Sequence, residues 1–245
     1  MLARASALLV LLMWGVAAAG QRSAEETISA FFGPTGIADK AGYYTGEMLA
    51  HSAQPTLGET LPPDTQIAIR ALPTSGRRAA FGVTLARDAS SQDWYAYLTQ
   101  DQGQWKLEAV RTLALTGIPG TLLSELASKS PRTPDEEWTY KNLQLMFMSD
   151  DKLRTFVVSN REALTRIIDL WRAGREREAN AAARALHLQS IEGGERTIAL
   201  MIGGVLDNTV GIVFVPKSSG PPEIDPNSYI YVERAASEWY VFKTT

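Results

Sequence analysis

Two periodicities alternate along this chain, and each occurs twice. The first helical block opens at "SAEETISAFFG", where Ser23 is placed to cap, Glu26 stands three residues later, and Ile28, Phe31 and Phe32 share a face before Gly33 and Pro34. A second helical stretch is expected from Gly36 to His51, ahead of the Pro-rich "PTLGETLPPD". From Thr65 the period drops to two. "QIAIRAL", "RAAFGVTLA", "DWYAYLTQ" and "QWKLEAVRTL", separated by "PTSGR", "RDASSQ" and "DQG", predict an antiparallel meander. Side chains alternate along a strand, so Tyr95 and Tyr97 belong to one face and Trp94, Ala96 and Leu98 to the other.

"GIPGTLLSELASKSPRTP" breaks the strand pattern and the helical period returns. Thr133, Pro134 and Glu136 combine a cap, a proline at the first helical position and a capping-box partner. Ser149 is expected to cap "DDKLRTFVV", and Ser159 with Glu162 to cap the next helix, in which Leu164, Ile167, Ile168 and Trp171 recur at helical spacing up to Gly174. "REREANAAARAL" adds a helix by its alanine content. After residue 195 the period is two again: "RTIALMIGGVL" and "TVGIVFVP" are apolar on both faces and joined by Asp207 and Asn208 as a turn pair. A loop, "PKSSGPPEIDPNS", then leads to the final hairpin "YIYVERAASEWYVFKT".

That hairpin parallels "WYAYLTQDQGQWKLEA". With Trp105 placed on Trp239, Tyr95 falls on Tyr229 and Tyr97 on Tyr231, and the polar turns coincide without a gap. Aromatic cross-strand pairs contribute about 0.2–1 kcal/mol each and help to set register, so each hairpin reads as the last pair of a curled sheet. Helices first, then a meander closing on an aromatic strand, a Gly turn and "QWKLEAV": this order resembles the nuclear transport factor 2-like superfamily, best over residues 24–116 and more loosely over 135–245. The resemblance implies a curved sheet wrapping its leading helices into a cone. It implies no catalytic set, because that superfamily holds isomerases and dehydratases alongside binding modules and no motif here matches a reactive one. The expected class is α+β: two units of helices followed by a meander, at 21–118 and 135–245, with a linker at 119–134.

Composition narrows the setting. Residues 1–20 carry one positive charge at Arg4, an apolar run from Ala5 to Val16, and then Ala17, Ala18, Ala19 and Gly20, which is the layout of a signal peptide ending at residue 19. A retained anchor is the competing reading, although the run is shorter than the roughly 20 residues that span a bilayer. Cysteine is absent from all 245 residues, so an exported chain of this kind relies on core packing, and a periplasmic location is expected. A net charge of −3 gives no electrostatic case for nucleic acid.

Chemistry is harder to find. His51 lies in "EMLAHSAQP", where the resemblance places the mouth of a cone, and is either a general base or a surface histidine. His187 reads as a core-margin residue, Asp207 and Asp225 as turn formers rather than calcium ligands, and Asp150 and Asp151 as first-turn acids answering the helix dipole. Arginines at 161, 166, 172, 175, 177 and 184 interleave with acids, as on a solvated helix face. Tyr229, Tyr231, Trp239 and Tyr240 either line an apolar pocket or fill a core. No nucleophile turn, phosphate loop or metal-ligand spacing occurs, and no cofactor or metal is expected. The expected function is therefore a non-catalytic binding module for a protein or a small apolar ligand. The alternatives are an isomerase or dehydratase, needing His51, Asp101, Asp207 or Glu233 to face a cavity beside a tyrosine, and an immunity or inhibitor protein.

Overall fold

The computed structural model describes residues 22–245 except 75, 89, 116, 195 and 196; the expected signal peptide lies outside the described residues. The class is α+β, with two antiparallel sheets. Among the described residues no helix is long and apolar enough to cross a membrane.

Helix α1 (Ala24–Phe32) begins with the anticipated capping box: Ser23 N donates to Glu26 Oε2 at 2.7 Å and Glu26 N donates to Ser23 Oγ at 3.1 Å. The stretch expected as a second helix is broken into α2 (Lys40–Tyr43), a 3-10 turn at Gly46–His51 and, beyond it, α3 (Leu57–Thr60). Tertiary pairing accounts for the break. Tyr44 leaves the helical path to bridge Leu107, and Thr45 N donates to Leu107 O at 2.9 Å.

Strands β1 (Gln66–Leu72), β2 (Arg78–Arg87), β3 (Ser90–Asp101) and β4 (Gln104–Thr112) pair in sequence order. Alternation along them sorts the side chains into two separate cores. Phe81, Val83, Leu85, Ala96, Leu98 and Leu107 face Ile28, Phe31, Phe32 and Met48. Leu72, Ala80, Tyr95, Tyr97 and Ala109 face the other way, into a core they share with the second half. The bulge that opposes Tyr97 to Ala109 and Leu98 to Leu107 skips Glu108, and so keeps both faces apolar past the irregularity.

The stretch 119–134 carries most of a helix, α4 (Ile118–Ser128), with Pro119 in its first turn. Helix α5 (Pro134–Met146) has the full Thr133–Glu136 capping box. Next come α6 (Asp150–Ser159), α7 (Arg161–Arg172) and α8 (Glu176–Ala185). Neither serine cap forms as expected. Ser149 makes no side-chain capping bond, and α6 runs on to Ser159, so that Asn160 precedes α7.

The second sheet comprises β5 (Ser190–Gly193), β6 (Ile198–Val205), β7 (Asn208–Phe214), β8 (Tyr231–Ala236) and β9 (Trp239–Lys243), in the order β5-β6-β7-β9-β8. The β6–β7 turn is Leu206–Asp207, one residue earlier than the expected Asp207–Asn208, with Leu206 at φ 53° and Asn208 already paired with Val205. Between β7 and β8 the loop crosses to the first sheet. Tyr97 Oη donates to Ile230 O at 2.5 Å and Arg111 Nε to Pro226 O at 2.9 Å. Leu153, Val157, Leu164, Ile167 and Ile168 of α6 and α7 complete the larger core.

Candidate functional site

The inner face of the first sheet meets the second half across a band of charge. Arg70, Gly82, Tyr95 and Arg111 form one row across β1 to β4, and Thr84 opposite Asp93 forms the next. Gly82 matters for space, since a Cβ there would collide with the Arg70 guanidinium. From the second half, α6 brings Asp150 and Arg154, β8 brings Tyr231 and Glu233, and β9 brings Lys243.

Asp150 is the hub. Its Oδ1 accepts from Lys243 Nζ at 2.7 Å and from Tyr95 Oη at 2.8 Å, and its Oδ2 from Arg70 Nη2 at 2.6 Å. Glu233 accepts from Arg154 Nη1 at 2.6 Å and Tyr231 Oη at 3.0 Å, and pairs with Arg70 at 3.2 Å. Asp93 takes Thr84 Oγ1 at 2.7 Å and lies 3.6 Å from Lys243 Nζ. It also accepts from the backbone N of Asp150 at 2.8 Å, so α6 is capped by a carboxylate from another strand and Ser149 is not needed. The Tyr95 and Tyr231 rings stack between these groups, 5.2 Å apart and 27° from parallel.

The seam's formal charge is balanced, with Asp93, Asp150 and Glu233 against Arg70, Arg154 and Lys243. Such balance is what lets charges stay buried, because an unpaired one would cost several kcal/mol, of order 3–5. Burial, and then the neighbouring Asp150, push the Asp93 carboxyl above its ordinary value. Burial also drives the Tyr95 and Tyr231 hydroxyls up, with Asp150 adding to it. Burial would lower the Arg70 guanidinium, but Asp150, Tyr231 and Glu233 more than reverse this and hold it charged.

One end of this band opens into a cavity of about 270 Å³. Asp93 and Lys243 contribute charged groups, Leu113, Leu115, Met146, Phe147 and Met148 apolar wall, and Ser91, Gln92, Thr112 and Ser149 further hydrogen-bonding groups. Both halves supply walls. Two apolar residues are strongly exposed: Leu206, 92% exposed at the β6–β7 turn, which Asn208 ties to Ala114 N at 3.2 Å, and Ile118, 84% exposed at the start of α4.

Of the sequence candidates, Tyr231 and Glu233 lie in the seam and the others elsewhere. Tyr231, Trp239 and Tyr240 are buried: Tyr231 in the seam, Trp239 edge-on to Phe214 at 5.1 Å, and Tyr240 accepting from Arg234 Nη2 at 2.9 Å. Tyr229 is half-buried, edge-on to Phe242 at 5.6 Å. His51 lines a second depression, about 480 Å³, on the outer side of the first sheet with Phe31, Tyr44, Met48, Leu57 and Trp94. There Nδ1 of His51 is 3.4 Å from Gln54 Oε1, and burial, then Glu59, push the Tyr44 hydroxyl up to about 12. Asp101 pairs with Lys106 at 2.7 Å and Asp207 is exposed. Asp225 accepts from Asn227 N at 2.8 Å, an Asx turn.

Asp93, Asp150, Lys243 and Arg70 were not singled out as a set by sequence reasoning. Parity held part of the signal: Asp93 shares the face of Tyr95 and Tyr97, and Lys243 ends the apolar run "WYVF". Nothing in a linear sequence says that these two faces meet. Among the described residues, no group of three or more histidines and carboxylates is arranged to hold a metal ion. No protein-family model, curated protein or solved structure matches this chain.

Proposed function

We propose that the protein is an exported binding module, and that the seam cavity receives a small, uncharged amphiphile. The observation that carries this reading is the pairing of an apolar wall with the mutually paired Asp93 and Lys243 in one cavity between two halves, the setting in which ligand sites are most often found. At about 270 Å³ the cavity suits a ligand of about ten non-hydrogen atoms. Its apolar body would lie against Leu113, Leu115, Met146 and Phe147, with its polar end toward Asp93, Lys243 and Ser149. A neutral head fits because the charges are already balanced, and an added carboxylate or ammonium would upset that balance. Asp93 and Lys243, the two charged groups that line the cavity, are already engaged by each other and by Asp150, which favours binding over proton transfer.

Titration calorimetry with octanol, octanoate and octylamine tests this. Octanol is expected to bind most tightly, and Leu113→Trp, which fills the cavity, to abolish its binding without loss of fold. Equal binding by wild type and Leu113→Trp would refute the site. Export to the periplasm is part of the proposal and rests on the leader-like residues 1–19 and the lack of cysteine. A nuclear transport factor 2-like origin for residues 24–116 is likewise proposed, supported by the helices that lead into the four-stranded sheet and cover one of its faces.

A second reading draws on the outer depression, where His51 and Tyr44 line the same apolar-walled space. In an isomerase-like enzyme His51 would act there as the base. Deuterium uptake by cyclohexanone in D2O, catalysed by wild type and lost in His51→Ala, would support it; uptake at the buffer rate would end it.

A further inference from the structure

The two sheets present four edge strands, and three of them carry features that discourage further pairing. On β4, the bridge from Tyr44 and the hydrogen bond from Thr45 cover Leu107. Strand β5 is four residues long. Strand β8 carries Glu233 and Arg234 and is bulged between Arg234 and Ala236. Short length, charge, bulges and covering segments are the devices by which proteins keep sheet edges from pairing.

Strand β1 is not short, not bulged and, among the described residues, not covered by another strand. It runs for seven residues in unbroken register with β2, without proline or lysine. Its one charged residue, Arg70, is held by Asp150 and Glu233. Ile67 and Ile69 are each 37% exposed. Among the described residues, no strand pairs with its outer edge. A regular apolar edge of this kind is a template for one more strand.

We propose that β1 is a homodimer interface, pairing antiparallel with β1 of a second copy to form an eight-stranded sheet. The strand is self-complementary. A two-fold axis through Ala68 sets Ile67 opposite Ile69 of the second copy, and the reverse, so that four isoleucines gather on one face. Gln66 then lies opposite Arg70, and the two alanines meet on the axis with no bulk between the backbones. An unrelated extended peptide would satisfy the backbone edge but gains nothing from this symmetry.

Analytical ultracentrifugation across a dilution series is expected to show a monomer–dimer equilibrium for the wild-type chain. Ile69→Lys, which adds the missing edge charge, should weaken the dimer about tenfold or more. Circular dichroism and thermal melting of the monomeric variant should match the wild-type fold. Because the chain has no cysteine, a single Ala68→Cys reports proximity directly: mild oxidation should yield a disulfide-linked dimer, whereas Ser128→Cys on α4 should not. A wild-type chain monomeric at every concentration would overturn the proposal. So would a dimer that Ile69→Lys leaves intact and Ala68→Cys fails to cross-link. Should Ile69→Lys unfold, the Ala68→Cys result decides alone.

Discussion

The two faces of the first sheet are built from the same strands and do different work. Its outer face is uniformly apolar where it packs, with Phe81, Val83, Leu85, Ala96 and Leu98 closed over by the helices that precede them. Its inner face interleaves apolar groups with Arg70, Asp93, Tyr95 and Arg111, and every one of these finds a partner in the second half. The outer face is held by burial, which is indifferent to direction. The inner face is held by bonds that need both partners in place, so it specifies how the halves dock as well as that they dock.

The comparison predicts unequal sensitivity. Asp150→Ala should cost most, about 3–5 kcal/mol in urea unfolding, because it removes the carboxylate that Lys243, Arg70 and the Tyr95 hydroxyl share and leaves the buried Lys243 only Asp93, at 3.6 Å. Leu98→Ala on the outer face should cost about 3 kcal/mol and show no pH dependence. Gly82→Ala should cost about 1–3 kcal/mol by displacing the Arg70 guanidinium, and Arg70→Met should relieve it.

Acidity separates the faces further. The native Asp93 carboxyl is raised above its ordinary 3.8, by burial and then by Asp150, with Lys243 pulling it back down. The folded chain therefore takes up that proton more readily than the unfolded one, and Asp93 favours folding more as the pH falls through its folded value. In Lys243→Met the shift grows, so the deficit should be largest at neutral pH and shrink in mild acid. His187 behaves oppositely. Burial and then Lys141 hold it below its ordinary 6.5, so its contribution is complete above 6.5 and is lost as the pH falls through its folded value. Asparagine tolerates the left-handed backbone at this position (φ 60°), so His187→Asn should flatten that slope in urea midpoints between pH 7.5 and 5.5. Smallest of all, Glu47→Ala at the exposed bond to Arg111 should stay within about 1 kcal/mol.

Strand alternation made much of this fold legible. The parity of "WYAYL" divided Tyr95 and Tyr97 from Trp94, Ala96 and Leu98, and the structure assigns those sets to different cores. Two capping boxes, at Ser23 and Thr133, were readable because cap and partner are three residues apart. The cap of α6 was not, since its acceptor stands 57 residues away on β3. Helix α4 was hidden by the proline and glycine near its start. Asp150 looked like an ordinary first-turn acid, and only the docking of the halves turns it into the hub of a buried network. The final aromatic hairpin reads from sequence either as pocket or as core, and in the structure Tyr231, Trp239 and Tyr240 are buried.

The two halves are joined by mutual charge pairing along the seam. A double-mutant cycle between Arg70 on the first sheet and Asp150 on α6 measures it, with Arg70→Met, Asp150→Asn and the pair compared by urea unfolding. The account predicts a coupling above about 1 kcal/mol between these side chains; losses that add to within about 0.5 kcal/mol would contradict it.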